Sequence, residues 1–230
     1  MKQKRISFHS AFIAAIILYA LFLWGCASEP AQKGLPAFRE NRPRSILVMP
    51  PLNRSVDISA QAVFLATSTV PLAESGYYVI PSALSQEMFR QNGIQTAEDA
   101  YAIEYSRLYD IFGADSALYI TITRFGVSYQ VLRSVVQAFA NARLVDLRTG
   151  QELWKGECFY ENNPGNASYP SGDIFEQLVA MVVGAAIEQV VNVISNQSYN
   201  AGRQANRIML SAENRDSILY GPYHPKFGTD

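Results

Sequence analysis

The stretch "FGADSALYITITRF", residues 112–125, decides the fold class of this chain. Its second half alternates between two faces, with Leu118, Ile120 and Ile122 on one side and Tyr119, Thr121 and Thr123 on the other. A period of two over this length predicts a half-buried β-strand. Gly113 stands just before the strand, where a glycine predicts the end of a preceding helix.

The segments that follow this strand predict antiparallel neighbours. Residues 127–147 form a long extended stretch, and "LVDLRTGQELWKGE" at 144–157 carries apolar residues on both sides of a bend at 148–151. A glycine in such a bend is typical of a hairpin turn. We therefore expect a returning strand over residues 152–160.

The segments that precede this strand alternate between strand and helix. Apolar periodicity, proline stops and glycine stops predict a strand at 45–50, a helix at 57–75, a strand at 77–81 and helices at 82–93 and 96–112. With a last helix over 173–195, the order is β-α-β-α-α-β-β-β-α. This order predicts one α/β (α+β) domain, a mixed sheet of about five strands with helices packed on it.

The last predicted helix and the tail hold candidate interaction residues. The segment "LVAMVVGAAI" is apolar on all sides but too short to span a bilayer. It is either a core helix or a place where the small residues Gly184, Ala185 and Ala186 let a second chain approach. Two prolines flank Tyr223 and His224 in a tail over 198–230, which we expect to pack on the domain over 45–197. His224 is either a packed tail residue or a pH-sensitive contact.

The amino-terminal segment has the three parts of a secretory signal. A short basic stretch precedes an apolar run over 11–24, which ends in Leu23-Trp24-Gly25-Cys26. The ending resembles the bacterial lipobox, which implies a signal peptide over 1–25, cleavage between Gly25 and Cys26, and acylation of Cys26. Ala27 after the cysteine implies the outer membrane. A signal anchor or a plain signal peptide remains the alternative.

Residues 26–44 are rich in proline, glycine and charge and show no apolar period, which predicts a flexible tether behind the lipid. If Cys26 is acylated, Cys158 has no partner and is expected as a buried free thiol. A disulfide between the two cysteines is the competing interpretation.

Charge and motif content argue against several functions. Removing Lys2, Lys4 and Arg5 with the signal leaves 16 of the 19 basic residues against 20 acidic ones, so nucleic acid is a poor partner. His9 would leave with the signal, so a multi-histidine metal site is excluded within one mature chain. No phosphate loop or nucleophile elbow occurs.

Carboxylates remain as candidates for acid–base chemistry. Asp146 and Glu152 flank the hairpin bend, and Glu98, Asp99 and Glu104 cluster near the third helix. Solvated faces carry the same pattern. We therefore expect no catalytic residue, no metal and no cofactor.

Several short motifs occur in a recognisable order. "ILVMPPLNRS", "ESGYYVIP", "FGADSALYITITRF" and "LVDLRTGQELWKGE" resemble the landmarks of the TolB amino-terminal and CsgG-like periplasmic fold. With the lipobox, "PPLNRS" and "LYGPYHP", the chain resembles a family of bacterial lipoproteins of unknown function that includes a neisserial vaccine candidate. The resemblance implies a periplasm-facing homodimer with a CsgG-like lipoprotein as partner.

Three functional hypotheses follow from the sequence. The first is a non-catalytic interaction or assembly component of an envelope transport or secretion system, held to the membrane by its lipid. The second is a periplasmic binding protein for a small envelope ligand, which requires a closed pocket. The third is a cell-wall hydrolase, which requires adjacent carboxylates of raised pKa.

Overall fold

The computed structural model describes residues 35–130, 133–162 and 186–230. The predicted signal peptide, Gly25, Cys26, and the patch residues Gly184 and Ala185 lie outside the described residues. The described helices are α1 Pro36–Asn41, α2 Ala60–Glu74, α3 Ser82–Gln91, α4 Ala97–Tyr101, α5 Tyr105–Phe112 and α6 Ala186–Leu210. The described strands are β1 Ser45–Val48, β2 Leu52–Asn53, β3 Tyr78–Val79, β4 Ser116–Gln130, β5 Arg133–Asp146 and β6 Glu152–Asn162.

The strands form one mixed sheet in the order β3-β1-β4-β5-β6. β1 runs parallel to β3 and β4, whereas β4, β5 and β6 are antiparallel neighbours. The predicted fold class is confirmed, with six strands among the described residues instead of about five. The additional strand is β2, which pairs with β4 after Pro50 and Pro51 have interrupted β1.

Helices pack on both faces of the sheet. Leu118, Ile120 and Ile122 of β4 belong to one hydrophobic cluster with residues of α2 and α6. Tyr119 belongs to a second cluster, with residues of α3, α4 and α5. The prediction of a half-buried β4 is therefore wrong for its first half, because helices bury both sides of the strand.

The predicted third helix is divided into two. Thr96 caps α4, since its hydroxyl accepts a hydrogen bond from the backbone N–H of Asp99 at 3.1 Å. The chain leaves the helix after Tyr101, and Glu104 is extended before α5 begins. α5 ends at Gly113, which adopts φ +62°, as its position in the sequence predicts.

The predicted tether contains part of the folded domain. Pro36 occupies the first turn of α1, where its fixed φ favours a helix. Phe38 is only 2% exposed and packs against Tyr77, with the ring centroids 6.4 Å apart. The expected flexible segment over 26–44 is therefore wrong for residues 36–41, because burial of Phe38 fixes this turn on the core.

The predicted boundary between domain and tail at 197/198 is also wrong. α6 continues through it to Leu210, with Ala201, Ala205 and Met209 in the main hydrophobic cluster. Four-residue spacing of these side chains gives α6 an apolar stripe that the surrounding polar residues conceal in the sequence. Within the described residues, no helix is long and apolar enough to cross a membrane.

Candidate functional site

A groove lies on the sheet face next to α4 and α5. It has a volume of about 480 Å³ and is open along one side. Its principal polar lining residues, all on β4, β5 and β6, are Tyr119, Thr121, Asn141, Arg143, Lys155 and Glu157. We call this surface the sheet groove.

Strand register brings the lining residues together in two rows. Tyr119 lies opposite Arg143, which in turn lies opposite Lys155. Two positions along the strands, Thr121, Asn141 and Glu157 form the next row. Because side chains alternate across a sheet, both rows project from the same face.

Tyr119 is the most buried polar residue of the sheet groove. It is 2% exposed, and its hydroxyl has no hydrogen-bond partner among the described residues. Its ring stands edge-on to Tyr101, with 4.8 Å between centroids, and the Arg143 guanidinium lies 4.4 Å from its centroid. A buried hydroxyl without a partner is costly, so Tyr119 is the polar group of the sheet groove with the largest desolvation cost.

Arg143 is one of two cationic residues that line the sheet groove, the other being Lys155. It is half-buried, and its Nη1 donates a hydrogen bond to the Tyr105 hydroxyl at 3.3 Å. It forms no ion pair within the part of the chain that the structure describes. A half-buried guanidinium with donors left over beyond its bond to Tyr105 suits a bound anion.

Burial raises the pKa of Tyr119 above its ordinary value, and the neighbouring hydroxyl of Tyr105 adds to the increase, while Arg143 opposes it. The phenol is therefore protonated at neutral pH and can donate a hydrogen bond. Burial likewise raises the pKa of Tyr101. The Tyr101 hydroxyl donates to the Ile120 carbonyl at 2.8 Å and accepts from its N–H at 3.0 Å. It therefore bonds the backbone of β4 at the position between the residues that pair with β1 and those that pair with β2.

The carboxylates at the hairpin bend are not a paired acid–base site. Asp146 Oδ1 accepts hydrogen bonds from the backbone N–H groups of Arg148 and Thr149 and from the Thr149 hydroxyl. It therefore holds the turn, which is a common role of aspartate there. Glu152 lines the sheet groove and is exposed.

The second acidic cluster also has structural roles. Glu98 forms an exposed ion pair with Arg54 at 3.5 Å, and Asp99 accepts a hydrogen bond from the Thr96 hydroxyl at 2.7 Å. Glu104 occupies the residue before α5. In the described residues, no group of three His, Cys, Asp or Glu side chains has the geometry of a metal site.

Cys158 is a buried free thiol, which confirms the prediction for this residue. It is 2% exposed on β6 and belongs to the main hydrophobic cluster. Burial raises its pKa to about 11. The thiol is therefore almost fully protonated at neutral pH, and it packs as a small apolar group.

Tyr223 and His224 of the tail have different environments. The ring of His224 stacks on Tyr220 at 4.3 Å, and its Nδ1 accepts a hydrogen bond from the Lys226 N–H at 3.0 Å. His224 also lies against Gly76, which has φ +90° and no room for a Cβ. His224 is therefore a packed residue, whereas Tyr223 is 68% exposed and stays a candidate for interaction.

The sequence pattern does not predict the sheet groove. It places Tyr119 on one face of a strand, and it does not mark Arg143 or Lys155 as site residues. The one available signal is a charged residue between Ala142 and Leu144, which is ordinary on a strand with one solvated face. Only the register shows that Arg143 lies over Tyr119.

Comparison with known proteins identifies relatives of this α/β domain. A protein of Neisseria meningitidis serogroup B (strain ATCC BAA-335 / MC58), "Putative lipoprotein NMB1124/NMB1162", is 41% identical over 186 residues, covering 81% of this chain and 83% of the relative. The crystal structure of lipoprotein GNA1162 from Neisseria meningitidis matches with 45% identity and a TM-score of 0.51, covering 65% of this chain and 99% of that one. The LpoB C-terminal domain from Salmonella enterica is similar at 18% identity and a TM-score of 0.38, over 52% of this chain and 83% of that one.

The family assignment agrees with these relatives. The family model "Putative lipoprotein GNA1162-like" matches residues 35–223, and the chain belongs to this family. The resemblance of the sequence motifs to a family of bacterial lipoproteins is thereby confirmed. Membership implies anchoring in the cell envelope, and the family description names no reaction.

Proposed function

We propose that this protein is an outer-membrane-anchored periplasmic lipoprotein that acts as a non-catalytic interaction or assembly component of an envelope transport or secretion system. The observation that carries the proposal is the sheet groove, where the half-buried Arg143 forms no ion pair within the described residues. The open side of the groove suits a protein surface better than an enclosed small ligand. We propose a CsgG-like lipoprotein as the first partner to test.

The anchor is tested by metabolic labelling with radioactive palmitate. Wild-type protein should incorporate label, and Cys26→Ala should incorporate none, because the thiol of Cys26 is the proposed acceptor. Cys158→Ala is the matched control and should be labelled like the wild type, since Cys158 is buried. A wild-type protein without lipid would contradict the anchor.

The interaction is tested by photocrosslinking in cells. A benzoylphenylalanine in place of Asn141, which is exposed in the sheet groove, should give a discrete crosslinked species. The same amino acid in place of Glu213, which is exposed outside the groove, should give none. Absence of crosslinks at Asn141 would contradict the interaction function, and mass spectrometry of a crosslinked species would identify the partner.

We also propose that the protein forms a homodimer, with Gly184, Ala185 and Tyr223 as candidate contacts. The exposure of the Tyr223 ring supports its part in such a contact. Light scattering of the full chain in detergent, at tens of micromolar protein, should give the mass of two chains. A monomer under these conditions would contradict the dimer.

A further inference from the structure

Resting on the proposed interaction function, we infer that the sheet groove and the adjoining face of β5 and β6 bind an extended segment of a partner protein. The segment presents a carboxylate to Arg143, and an apolar side chain to Phe139 and Phe159. These two side chains of the partner are four positions apart. Each element of this inference rests on a separate observation of the open face.

The first observation is the donor set around Arg143. Its guanidinium contacts the Tyr105 hydroxyl at 3.3 Å but forms no ion pair within the described residues. The Tyr119 hydroxyl is buried beside it without a partner in the described part of the chain. Because the guanidinium lies over the Tyr119 ring, an incoming group meets Arg143 and not the phenol. The two oxygens of a carboxylate accept hydrogen bonds from the guanidinium in a bidentate pair, so one such group provides the missing partner of Arg143.

The second observation is the balance of charge around this donor set. Lys155 lies beside Arg143 across the strands, while Glu152 and Glu157 line the same groove. The two cations and the two acids cancel, so the groove offers no net positive potential to a dianion, whereas a single carboxylate needs only the local pairing with Arg143. The site therefore suits a carboxylate better than a phosphate monoester.

The third observation is an aromatic pair on the same open face. Phe139 of β5 and Phe159 of β6 are cross-strand neighbours with their ring centroids 6.2 Å apart. Phe159 is 53% exposed although it is large and apolar. Such a pair gives an apolar contact area next to the charged groove, and burying it against a partner stabilises a complex.

The spacing of the two sites determines the kind of ligand. Arg143 and Phe139 lie four residues apart on β5, which corresponds to about 13 Å at a rise of about 3.3 Å per residue. An extended peptide places the side chains at positions i and i+4 on one face at the same separation. A single small acid reaches only the Arg143 site, so both sites together favour a peptide segment.

The test is a selection of peptides on the full-length acylated protein in detergent. The probe is a phage-displayed library of random nonapeptides flanked by glycine and serine. We expect enrichment of Asp or Glu with an aromatic or aliphatic residue four positions away, in either chain direction. In a synthetic peptide of the enriched type, Glu→Gln or a shift of the apolar residue by one position should weaken binding about tenfold.

Variants of the protein locate the binding site. Arg143→Met and Phe159→Thr should each weaken binding of the enriched peptide about tenfold, because each removes one of the two contacts. Arg215→Met is the matched control, since Arg215 is exposed and lies outside the groove. It should bind like the wild type, and circular dichroism should show the same fold for all three variants.

Several results would overturn the inference. Equal binding of the Glu and Gln peptides would exclude the carboxylate contact, and displacement of the peptide by free glutarate at equal molar affinity would identify a small-acid site instead. No enrichment, together with crosslinks at Asn141 in cells, would refute this partner chemistry and leave the interaction function in place. No enrichment and no crosslinks would refute both.

Discussion

The two faces of the β5–β6 hairpin differ sharply although the same two strands supply both. On the covered face, beneath α6, the side chains are small or apolar and at most 5% exposed: Ala138, Ala140, Ala142, Leu144 and Cys158. On the open face, the side chains are longer and mostly polar: Gln137, Asn141, Arg143, Lys155 and Glu157. Because side chains alternate with a period of two, the covered face of this single hairpin serves stability and its open face is left for recognition.

Packing is tight on the covered face and loose on the open one. A Cβ added to Gly156 would lie 2.2 Å from the Trp154 ring, so the covered side has no room for an additional methyl group there. The open side at the same level of the sheet contains the groove of about 480 Å³. Substitutions on the covered face should therefore change the free energy of unfolding, and those on the open face should change binding.

The largest effect is expected for Leu144→Ala on the covered face. Leu144 is completely buried, and its truncation leaves a cavity that the surrounding sheet and α6 cannot fill. We expect a loss of about 3 kcal/mol in the free energy of unfolding, measured by denaturant titration.

Glu157→Gln on the open face is the matched control for this substitution. Glu157 is exposed, so its replacement should change the free energy of unfolding by less than about 0.5 kcal/mol. Comparable losses for the two variants would contradict the division of the hairpin into a stability face and a recognition face.

A smaller effect is expected from the titration of Cys158. Its folded-state pKa is raised to about 11, so the folded protein keeps the thiol proton at pH values where the unfolded chain releases it. The protonated thiol makes its full contribution to the free energy of unfolding at pH values below the ordinary thiol pKa. This contribution is lost as the pH rises toward 11. Between pH 8 and 11, the wild type should lose about 2 kcal/mol more than Cys158→Ala does.

Denaturant titrations of both proteins across this pH range make the measurement, and the difference between them cancels the titration of the tyrosines. Parallel pH profiles for wild type and Cys158→Ala would show that the thiol is solvated in the folded state. That result would place Cys158 outside the covered face.

Local signals in the sequence predicted most of the elements but not all of their limits. Gly113, Pro50 and the bend at 148–151 act through backbone conformation, which a short window contains, and each boundary lies within two residues of its expected place, with β1 ending at Val48 and not at Pro50. The break between α4 and α5 and the burial of Phe38 depend on contacts with distant residues. Such contacts override local propensity, so the sequence pattern could not show them.

The sheet groove was not predictable for a related reason. Tyr119 and Arg143 are 24 positions apart, and a slip of one residue in the β4–β5 register would place Arg143 on the covered face. β4 also contains an irregularity between Ile122 and Arg124, which shifts the register. Alternation within each strand shows which residues share a face, but the pairing that forms the site is a property of the folded sheet.

The smallest effect, and the one with the opposite sign, is expected for Tyr119→Phe. Tyr119 is as buried as a residue of the covered face, although its side chain projects from the open face of the sheet. Its hydroxyl has no hydrogen-bond partner among the described residues. Removing this hydroxyl abolishes a desolvation cost, so the free energy of unfolding should rise by about 1 kcal/mol, as measured by denaturant titration.

The same substitution should leave binding of the enriched peptide unchanged, because the phenol is buried beneath the Arg143 guanidinium and does not reach the carboxylate. A gain in stability without a change in binding would show that burial of this hydroxyl only costs stability. A loss of stability in Tyr119→Phe would instead show that the hydroxyl is hydrogen-bonded within the folded protein, and Tyr119 would then belong to the stability side of the comparison. Tyr101→Phe is the control for a tyrosine that serves the fold, since its hydroxyl bonds the Ile120 backbone and its removal should lower stability by about 1 kcal/mol.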